Sequence, residues 1–292
     1  MTTREIAKIV SSFPFFDKAR ELWLKNQQKF HLPLSKTDKL IIGIYLIIKD
    51  YSEGLFPPTF DDQKQAYEAE VNYRFSIPGL SVENFIDGEM RKPFLFGKNA
   101  RHYLENFFFF VATLEELDIY PNQRLLELGC GLGWMSELLA TMGFDIIGSS
   151  ISSHDIEDCK NRIKSLEVKR IKVNLDYLIT PMESVSEIIE SRGLFDVIFV
   201  FEALHHAHDW RKAITSSYAC LKDGGWLIIC NEPNVIHTYV SYRVAKLSNT
   251  HEVGFKRSEL FSHLKNTNFS KIKILKNQID YWIRPHWIAA QK

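Results

Sequence analysis

After Pro121 the sequence alternates between short apolar runs and amphipathic segments, a pattern that few folds tolerate. The apolar runs are RLLELG (124–129), DIIGS (145–149), YLIT (177–180), FDVIFVF (195–201) and WLIIC (226–230). The amphipathic segments between them include WMSELLATM (134–142), SSHDIEDCKNRI (152–163) and WRKAITSSYACL (210–221). Strands that alternate with helices form βαβ units, so the pattern predicts an α/β fold whose parallel sheet carries helices on both faces.

The two ends of the chain predict additions to this sheet. Near the C-terminus, KIKILK (271–276) and YWIRPHWIAAQK (281–292) read as two strands without a long helix between them, which predicts an antiparallel hairpin at one edge. The first hundred residues show helical patterns at 17–30, at 39–51 behind a capping Ser35 and at 63–72, and a loop-rich connection at 75–93. We expect a helical cap or substrate lid over 1–97 and a Rossmann-like, doubly wound domain over 98–292.

Charge and cysteine content exclude several classes of function. The 292 residues contain 36 Lys and Arg and 36 Asp and Glu, so the formal net charge is zero. This balance argues against a protein that binds nucleic acid or a membrane surface through its overall charge. The four cysteines show no CxxC spacing, which argues against a zinc ribbon and a disulfide scaffold. The longest apolar run, Leu40 to Ile48, is shorter than the ~20 residues that span a bilayer. We expect a cytoplasmic protein with a small-molecule partner, no nucleic-acid or membrane partner, and room for a homodimer.

A glycine loop follows the first predicted strand. Leu125 to Leu128 leads directly into Gly129-Cys130-Gly131-Leu132-Gly133, with Glu127 two residues before the first glycine. In an open parallel sheet, ligands bind beyond the carboxyl ends of the strands, and glycines leave room for a ligand against the backbone. A tight turn alone would also use glycine, so the spacing carries more weight. The spacing here is GxGxG, whereas GxGxxG is expected for a nicotinamide-dependent oxidoreductase.

Three motifs together resemble those of class I S-adenosylmethionine-dependent methyltransferases. They are LLELGCGLGW (125–134), FDVIFVFEALHHAHDW (195–210) and LKDGGWLIICNEP (221–233), and the resemblance covers about 98–292. It implies S-adenosylmethionine as the cofactor, with the glycine loop beneath its methionine part and Glu127 near its ammonium group. The remaining residues that it implies for cofactor binding are Ser150 and Ile151 at the ribose, Met182 or Glu183 at the adenine, and Phe201 and Glu202 beside the substrate mouth.

The sequence departs from the family pattern at the end of the second strand. The family places an acidic residue there for the two ribose hydroxyls, and GSSIS (148–152) aligns Ser150 with that position. One hydroxyl cannot accept two hydrogen bonds as a carboxylate does, which lowers the expected cofactor affinity. Asp155 could substitute if the turn bends back.

A histidine cluster, His205, His206 and His208 with Asp209, follows the fourth strand. A histidine at the mouth of the pocket could act as general base, with His206 the first choice by alignment and His205 the second. Closely spaced His and Asp could instead share a metal ion, although adjacent histidines point apart on a strand or a regular helix. The third interpretation is that these histidines only form hydrogen bonds with the backbone of the loop. Of the three interpretations we favour the catalytic one, and we assign no metal.

Residues 231–255 separate the fifth strand from the next helix by more than the usual ~2–6 residues. Together with His208, this segment supplies the candidate substrate residues His237, Tyr239, Tyr242 and His251. The expected activity is in-line methyl transfer from S-adenosylmethionine to an oxygen or nitrogen of a small organic metabolite, such as a natural product or sugar. The alternative is a non-catalytic, degenerate Rossmann-like module that binds a partner through the cap.

Overall fold

A computed structural model describes residues 1–56, 60–276 and 285–292. Its centre is a seven-stranded sheet in the order β3-β2-β1-β4-β5-β7-β6. The strands are β1 (Arg124–Leu128), β2 (Asp145–Ser150), β3 (Asn174–Ile179), β4 (Phe195–Phe201), β5 (Leu221–Glu232), β6 (Lys271–Ile274) and β7 (His286–Gln291). The predicted α/β fold is confirmed.

The sheet reverses its strand order next to β1. Strand β1 pairs in parallel with β2 on one side and with β4 on the other, so its carboxyl end lies at the switch point where open α/β sheets bind ligands. At the far edge, β7 runs antiparallel to both β5 and β6. This confirms the predicted C-terminal strand pair, although the first residues of the second predicted strand, 281–284, lie outside the described residues.

Helices cover both faces of the sheet and form most of the N-terminal region. They are α1 (Thr3–Ser11), α2 (Asp17–Gln28), α3 (Lys36–Glu53), α4 (Gln63–Ser76), α5 (Val82–Met90), α6 (Lys98–Glu116), α7 (Trp134–Thr141), α8 (Ser153–Val168), α9 (Ile189–Arg192), α10 (Trp210–Cys220), α11 (His237–Val240), α12 (Tyr242–Ser248) and α13 (Arg257–Asn266). Short 3-10 turns lie at Pro14–Phe16, Met182–Ile188 and Leu204–His206.

The prediction of a loop-rich connection over 75–93 is wrong, because α5 lies within it. Ser81 caps this helix by accepting a hydrogen bond from the Asn84 backbone N–H at 3.2 Å, and Gly88 sits in the helix with open space beside it. A serine cap supplies a partner for one of the four unpaired N–H groups of a helix start, which favours a short helix even with an internal glycine.

The apolar stretch within α6 packs on the sheet as its composition requires. Phe110 is fully buried, and its ring centroid lies 4.7 Å from that of Phe199 in β4. Phe107 is also buried, whereas Phe108 faces outward. One stripe of the helix thus covers the sheet, and burying each such ring contributes roughly 1.5–3 kcal/mol.

The N-terminal helices contact the segment that follows β5. Asp50 of α3 is buried, accepts a 2.5 Å hydrogen bond from the Tyr242 hydroxyl and forms a 3.0 Å ion pair with Lys246. These contacts join α3 to α12, so the N-terminal region packs against the segment that follows β5. The division at residue 97 stays a prediction. Over the described ranges, no helix has the length and apolar character needed to cross a membrane.

Candidate functional site

The glycine loop lies at the carboxyl end of β1 and depends on glycine at each of its three positions. Gly129, Gly131 and Gly133 all have positive φ, at +64°, +51° and +74°. A Cβ on Gly129 would lie 2.7 Å from side-chain atoms of both Ala203 and Met182, whereas a Cβ on Gly131 would meet nothing within 4 Å. The first glycine therefore allows close packing, and the second leaves open space for a ligand.

Glu127 lies behind this loop in β1. Its side chain is buried and accepts a hydrogen bond from the Ser136 hydroxyl of α7. Burial raises the pKa of Glu127 to about 7, although the bond from Ser136 works in the opposite direction. A carboxyl group poised near neutrality beside the loop can gain its charge when a cation binds nearby.

A cavity of about 340 Å³ opens between the glycine loop and the two helices α4 and α5. Gly129 and Gly131 form its floor, and Tyr73 and Phe85 belong to its lid side. The predicted cofactor residues that line it are Gly129, Gly131, Ser150, Ile151, Met182 and Glu183. Helices of the N-terminal region thus cover the switch point of the sheet.

The position expected to bind the ribose contains four connected polar residues. The Ser150 hydroxyl lies 3.3 Å from Asp155 Oδ2, so the turn between β2 and α8 does bring Asp155 back to Ser150. Arg74 of α4, which is 5% exposed, pairs with Asp155 at 2.7 Å and with Asp158 at 2.9 Å. A carboxylate is therefore present next to Ser150, supplied by the helix after β2, and it is already in contact with the lid.

The position expected to bind the adenine contains a buried carboxylate. Glu183 accepts a 2.7 Å hydrogen bond from the Tyr67 hydroxyl of α4 and a 3.0 Å bond from the backbone N–H of Asp209. Burial and the neighbouring carboxylate raise the pKa of Tyr67, which keeps its hydroxyl protonated as a donor. Met182 lies beside Glu183 and lines the same cavity.

His206 reaches the cavity from the 3-10 turn after β4. Its Nδ1 lies 3.3 Å from Glu70 of α4 and 3.1 Å from the backbone carbonyl of His251. Burial favours the neutral ring, but Glu70, together with Glu252 and Glu232, outweighs it and raises the pKa of His206 to about 10. While Glu70 contacts the ring, His206 is charged at neutral pH.

His205 precedes His206 in the same turn, and the two ring centroids lie 4.1 Å apart. Its Nδ1 lies 2.9 Å from Glu232, a fully buried residue at the end of β5. Glu232 also accepts hydrogen bonds from the backbone N–H groups of Ala203 and Leu204, at 2.7 and 2.9 Å. A single carboxylate therefore shapes the turn and orients the histidine ring.

Strained backbone marks the adjacent strand ends. Glu202 and Asn231 both have positive φ, at +49° and +56°, which is uncommon for residues other than glycine and is concentrated at functional sites. The Asn231 side chain donates a hydrogen bond to Glu202, and His102 Nε2 lies 2.8 Å from the same carboxylate. These contacts hold Glu202 at the rim of a second cavity, of about 470 Å³.

The candidate substrate residues separate into two groups. His237 lines the second cavity together with His205, and its Nε2 lies 2.9 Å from Glu252. His208 and the buried His251 line neither cavity, although the His251 carbonyl contacts His206, and His208 Nε2 contacts the Phe60 carbonyl at 3.1 Å. By contrast, Tyr239 is half exposed, and Tyr242 is buried against α3. Neither tyrosine lines either of the two cavities.

Five predicted cofactor residues lie outside the cofactor cavity: Glu127, Cys130, Gly133, Phe201 and Glu202, the last of which lines the second cavity instead. Sequence reasoning missed Tyr67, Glu70 and Arg74 in α4, which recur at the spacing of one helix face and so had a detectable signal. It also missed Glu232, whose signal is an acidic residue at the carboxyl end of a central strand.

Comparisons with known proteins agree with this geometry. Residues 96–273 match a family model described as a methyltransferase domain. The chain is similar to ubiquinone biosynthesis O-methyltransferases of Pelagibacter ubique (30% identity over 119 residues, 41% of this chain and 46% of the relative) and Cereibacter sphaeroides (32% over 115 residues, 39% and 43%). The matches thus span less than half of each relative. The crystal structure of the CurJ carbon methyltransferase shares the fold, with a TM-score of 0.53 and 15% identity over 94% of this chain and 70% of that one.

Proposed function

The chain belongs to the class I S-adenosylmethionine-dependent methyltransferases, and from that premise we propose that it methylates an oxygen or nitrogen of a small organic metabolite. The observation that carries this proposal is the cavity between the glycine loop and α4–α5. Its lid contributes aromatic rings, and the 36 basic residues are balanced by 36 acidic ones. Such a cavity suits a compact organic molecule better than a polyanionic one.

The residues present fit S-adenosylmethionine, the cofactor of this family. The open space at Gly131 admits the methionine part, and Glu127 lies behind the loop to balance its ammonium group directly or through water. Asp155 and Ser150 offer acceptors for the ribose hydroxyls, and Glu183 offers one for the adenine amino group. The family has a ribose-binding carboxylate at the position of Ser150, and we assign that role to Asp155 instead.

When bound, the cofactor supplies an activated methyl group on a sulfonium. The protein's part is to hold the acceptor atom in line with that methyl group and to exclude water, which accounts for much of the rate in a reaction of this kind. The side chains for this task are those where the lid meets the turn after β4, in particular Glu70 and His206. His206 and His205 remain the candidate proton acceptors, His206 once its ring has left Glu70 and lost its proton, and in each ring the hydrogen bonds involve Nδ1, leaving Nε2 toward a ligand.

The test begins with calorimetric titration of the full chain with S-adenosylmethionine, S-adenosylhomocysteine and NAD. We expect micromolar binding of the first two and none of the third. A screen of phenols, sugars and amines, followed by mass spectrometry for a gain of one methylene unit, then identifies the acceptor. His206→Ala should lower the rate of methyl transfer and leave S-adenosylhomocysteine affinity within about threefold.

His263→Gln serves as the matched control, because His263 lies on α13 and contacts the Arg211 carbonyl, away from both cavities. Binding of neither adenosyl compound would overturn the proposal and favour a degenerate module that binds a partner through the cap.

A further inference from the structure

The turn after β4 brings together more ionisable groups than methyl transfer requires. Three imidazoles, those of His205, His206 and His237, face three carboxylates, those of Glu70, Glu232 and Glu252. Donor atoms of His205, His206 and Glu252, one from each residue, all lie within 4.8 Å of one another. His206 lines the cofactor cavity, and His205 and Glu252 line the second cavity, so the three meet where the cavities adjoin.

We propose that His205, His206 and Glu252 bind one divalent transition-metal ion at this junction. Two imidazole nitrogens and one carboxylate oxygen form a donor set that suits Zn²⁺, Mn²⁺ or Fe²⁺. Mg²⁺ prefers oxygen donors alone and is expected to bind weakly. The adjoining cavities leave space for further ligands on the ion, as a site open to substrate needs.

The local backbone removes the objection that neighbouring histidines point apart. Residues Leu204–His206 form a 3-10 turn, and there the two imidazole centroids lie 4.1 Å apart. A tetrahedral ion with bonds of about 2.0–2.1 Å separates its ligand atoms by about 3.4 Å. Ligand atoms that lie at most 4.8 Å apart, one from each residue, need to approach one another by at most about 1.4 Å to reach this spacing, a distance within reach of side-chain rotation.

Each histidine is oriented as metal-binding histidines usually are. His205 Nδ1 contacts the carboxylate of Glu232, and His206 Nδ1 contacts the His251 carbonyl and Glu70. Among the described residues, neither Nε2 atom has a hydrogen-bond partner. A carboxylate or carbonyl on one ring nitrogen fixes the tautomer and directs the other nitrogen to the metal.

The third ligand is held in the same way. Glu252 is mostly buried, and its Oε2 lies 2.9 Å from His237 Nε2, which leaves its other oxygen for the ion. The surrounding carboxylates of Glu70 and Glu232 add negative charge that favours a dication. If the proposed function is correct, an ion here adjoins the acceptor atom and helps a bound hydroxyl lose its proton, the task that the sequence assigned to a histidine base.

The experiment measures metal binding separately from catalysis. The full chain, stripped with a chelator and dialysed, is titrated with Zn²⁺, Mn²⁺ and Mg²⁺ by calorimetry, and Co²⁺ loading is followed by visible absorption. We expect one Zn²⁺ per chain, visible Co²⁺ bands and weak Mg²⁺ binding. Glu252→Gln, which keeps an acceptor for His237, and His206→Ala should each weaken Zn²⁺ binding at least tenfold and remove the Co²⁺ bands.

His263→Gln should bind like the unaltered chain, and circular dichroism at each step checks that every variant is folded. The proposal is overturned if Zn²⁺ fails to bind stoichiometrically, or if Glu252→Gln and His263→Gln bind alike. Titration of the same samples with S-adenosylhomocysteine separates the two proposals. Loss of that binding alone refutes the proposed function, and loss of Zn²⁺ binding alone refutes the metal site.

Discussion

Replacing Glu127 by Gln should stabilise the protein, and the gain should depend on pH. Burial raises the pKa of Glu127 from 4.5 to about 7 in the folded chain. The folded state therefore binds more protons at this site than the unfolded state between pH 4.5 and 7, so this residue's contribution to stability falls as pH rises through that window and is constant above it. The amide introduced by Glu127→Gln does not titrate, and its oxygen can still accept the Ser136 hydrogen bond.

The size of the effect follows from the shift. Each pKa unit corresponds to 1.36 kcal/mol, so ionising Glu127 in the fold costs about 3 kcal/mol at pH 8. At pH 5.5 this cost amounts to only about one pKa unit, so the contribution of Glu127 to the free energy of unfolding differs by about 2 kcal/mol between pH 5.5 and pH 8. For a chain of this size, that corresponds to a difference of about 4 °C in melting temperature.

The assay compares urea and thermal unfolding of the two proteins at pH 5.5 and pH 8. Every other titrating group is common to both proteins. The stability gain of the variant at pH 8, minus its gain at pH 5.5, therefore reports on Glu127 alone. If the variant gains equally at both pH values, or gains nothing at pH 8, the burial argument is refuted. The same substitution should weaken S-adenosylhomocysteine binding, and the affinity of the unaltered chain should fall about tenfold per unit below pH 7.

Four other substitutions address the loop and the lid. Gly129→Ala should abolish cofactor binding and lower the melting temperature, because its Cβ would lie 2.7 Å from Ala203 and Met182. Gly131→Ala should fold, with a loss of about 1 kcal/mol in the free energy of unfolding. Calorimetry should show that this second variant still binds S-adenosylhomocysteine more weakly than the unaltered chain. Arg74→Ala leaves two carboxylates without their partner and should cost about 3 kcal/mol in urea unfolding, with faster proteolysis of the N-terminal helices; an unchanged unfolding curve would exclude a stabilising role for the pair. Tyr67→Phe removes one neutral donor to a buried carboxylate and should cost about 1–3 kcal/mol in stability by the same assay, more than the exposed control Tyr239→Phe.

Most of the sheet could be predicted from the sequence because each central strand is a short apolar run bounded by a turn residue. The run at 195–201 became β4 with the same bounds, and α7 begins at Trp134, where the amphipathic segment 134–142 begins. Helix α5 was missed because it has only nine residues and a glycine lies inside it. Its strongest signal is the single capping residue, Ser81.

The site was less predictable, because its polar groups come from segments far apart in the sequence. Asp155 meets Arg74 across 81 positions, and Glu183 meets Tyr67 across 116. A local pattern shows that each residue is polar, and only the fold shows which partner it finds. Tyr242 illustrates the opposite error, since a tyrosine in a long insertion reads as a substrate residue and here packs against α3.

One face of α4 contacts all three parts of the proposed site. Tyr67, Glu70 and Arg74 follow one another at helical spacing, and they contact Glu183, His206 and Asp155 respectively. The carboxylates of Glu183 and Asp155 are those to which we assign the adenine and the ribose, so cofactor and lid share the same acceptors. A carboxylate has about four acceptor positions and can serve both at once. Under the proposed function, cofactor binding and the position of α4 are therefore energetically coupled, because both depend on the carboxylates of Asp155 and Glu183.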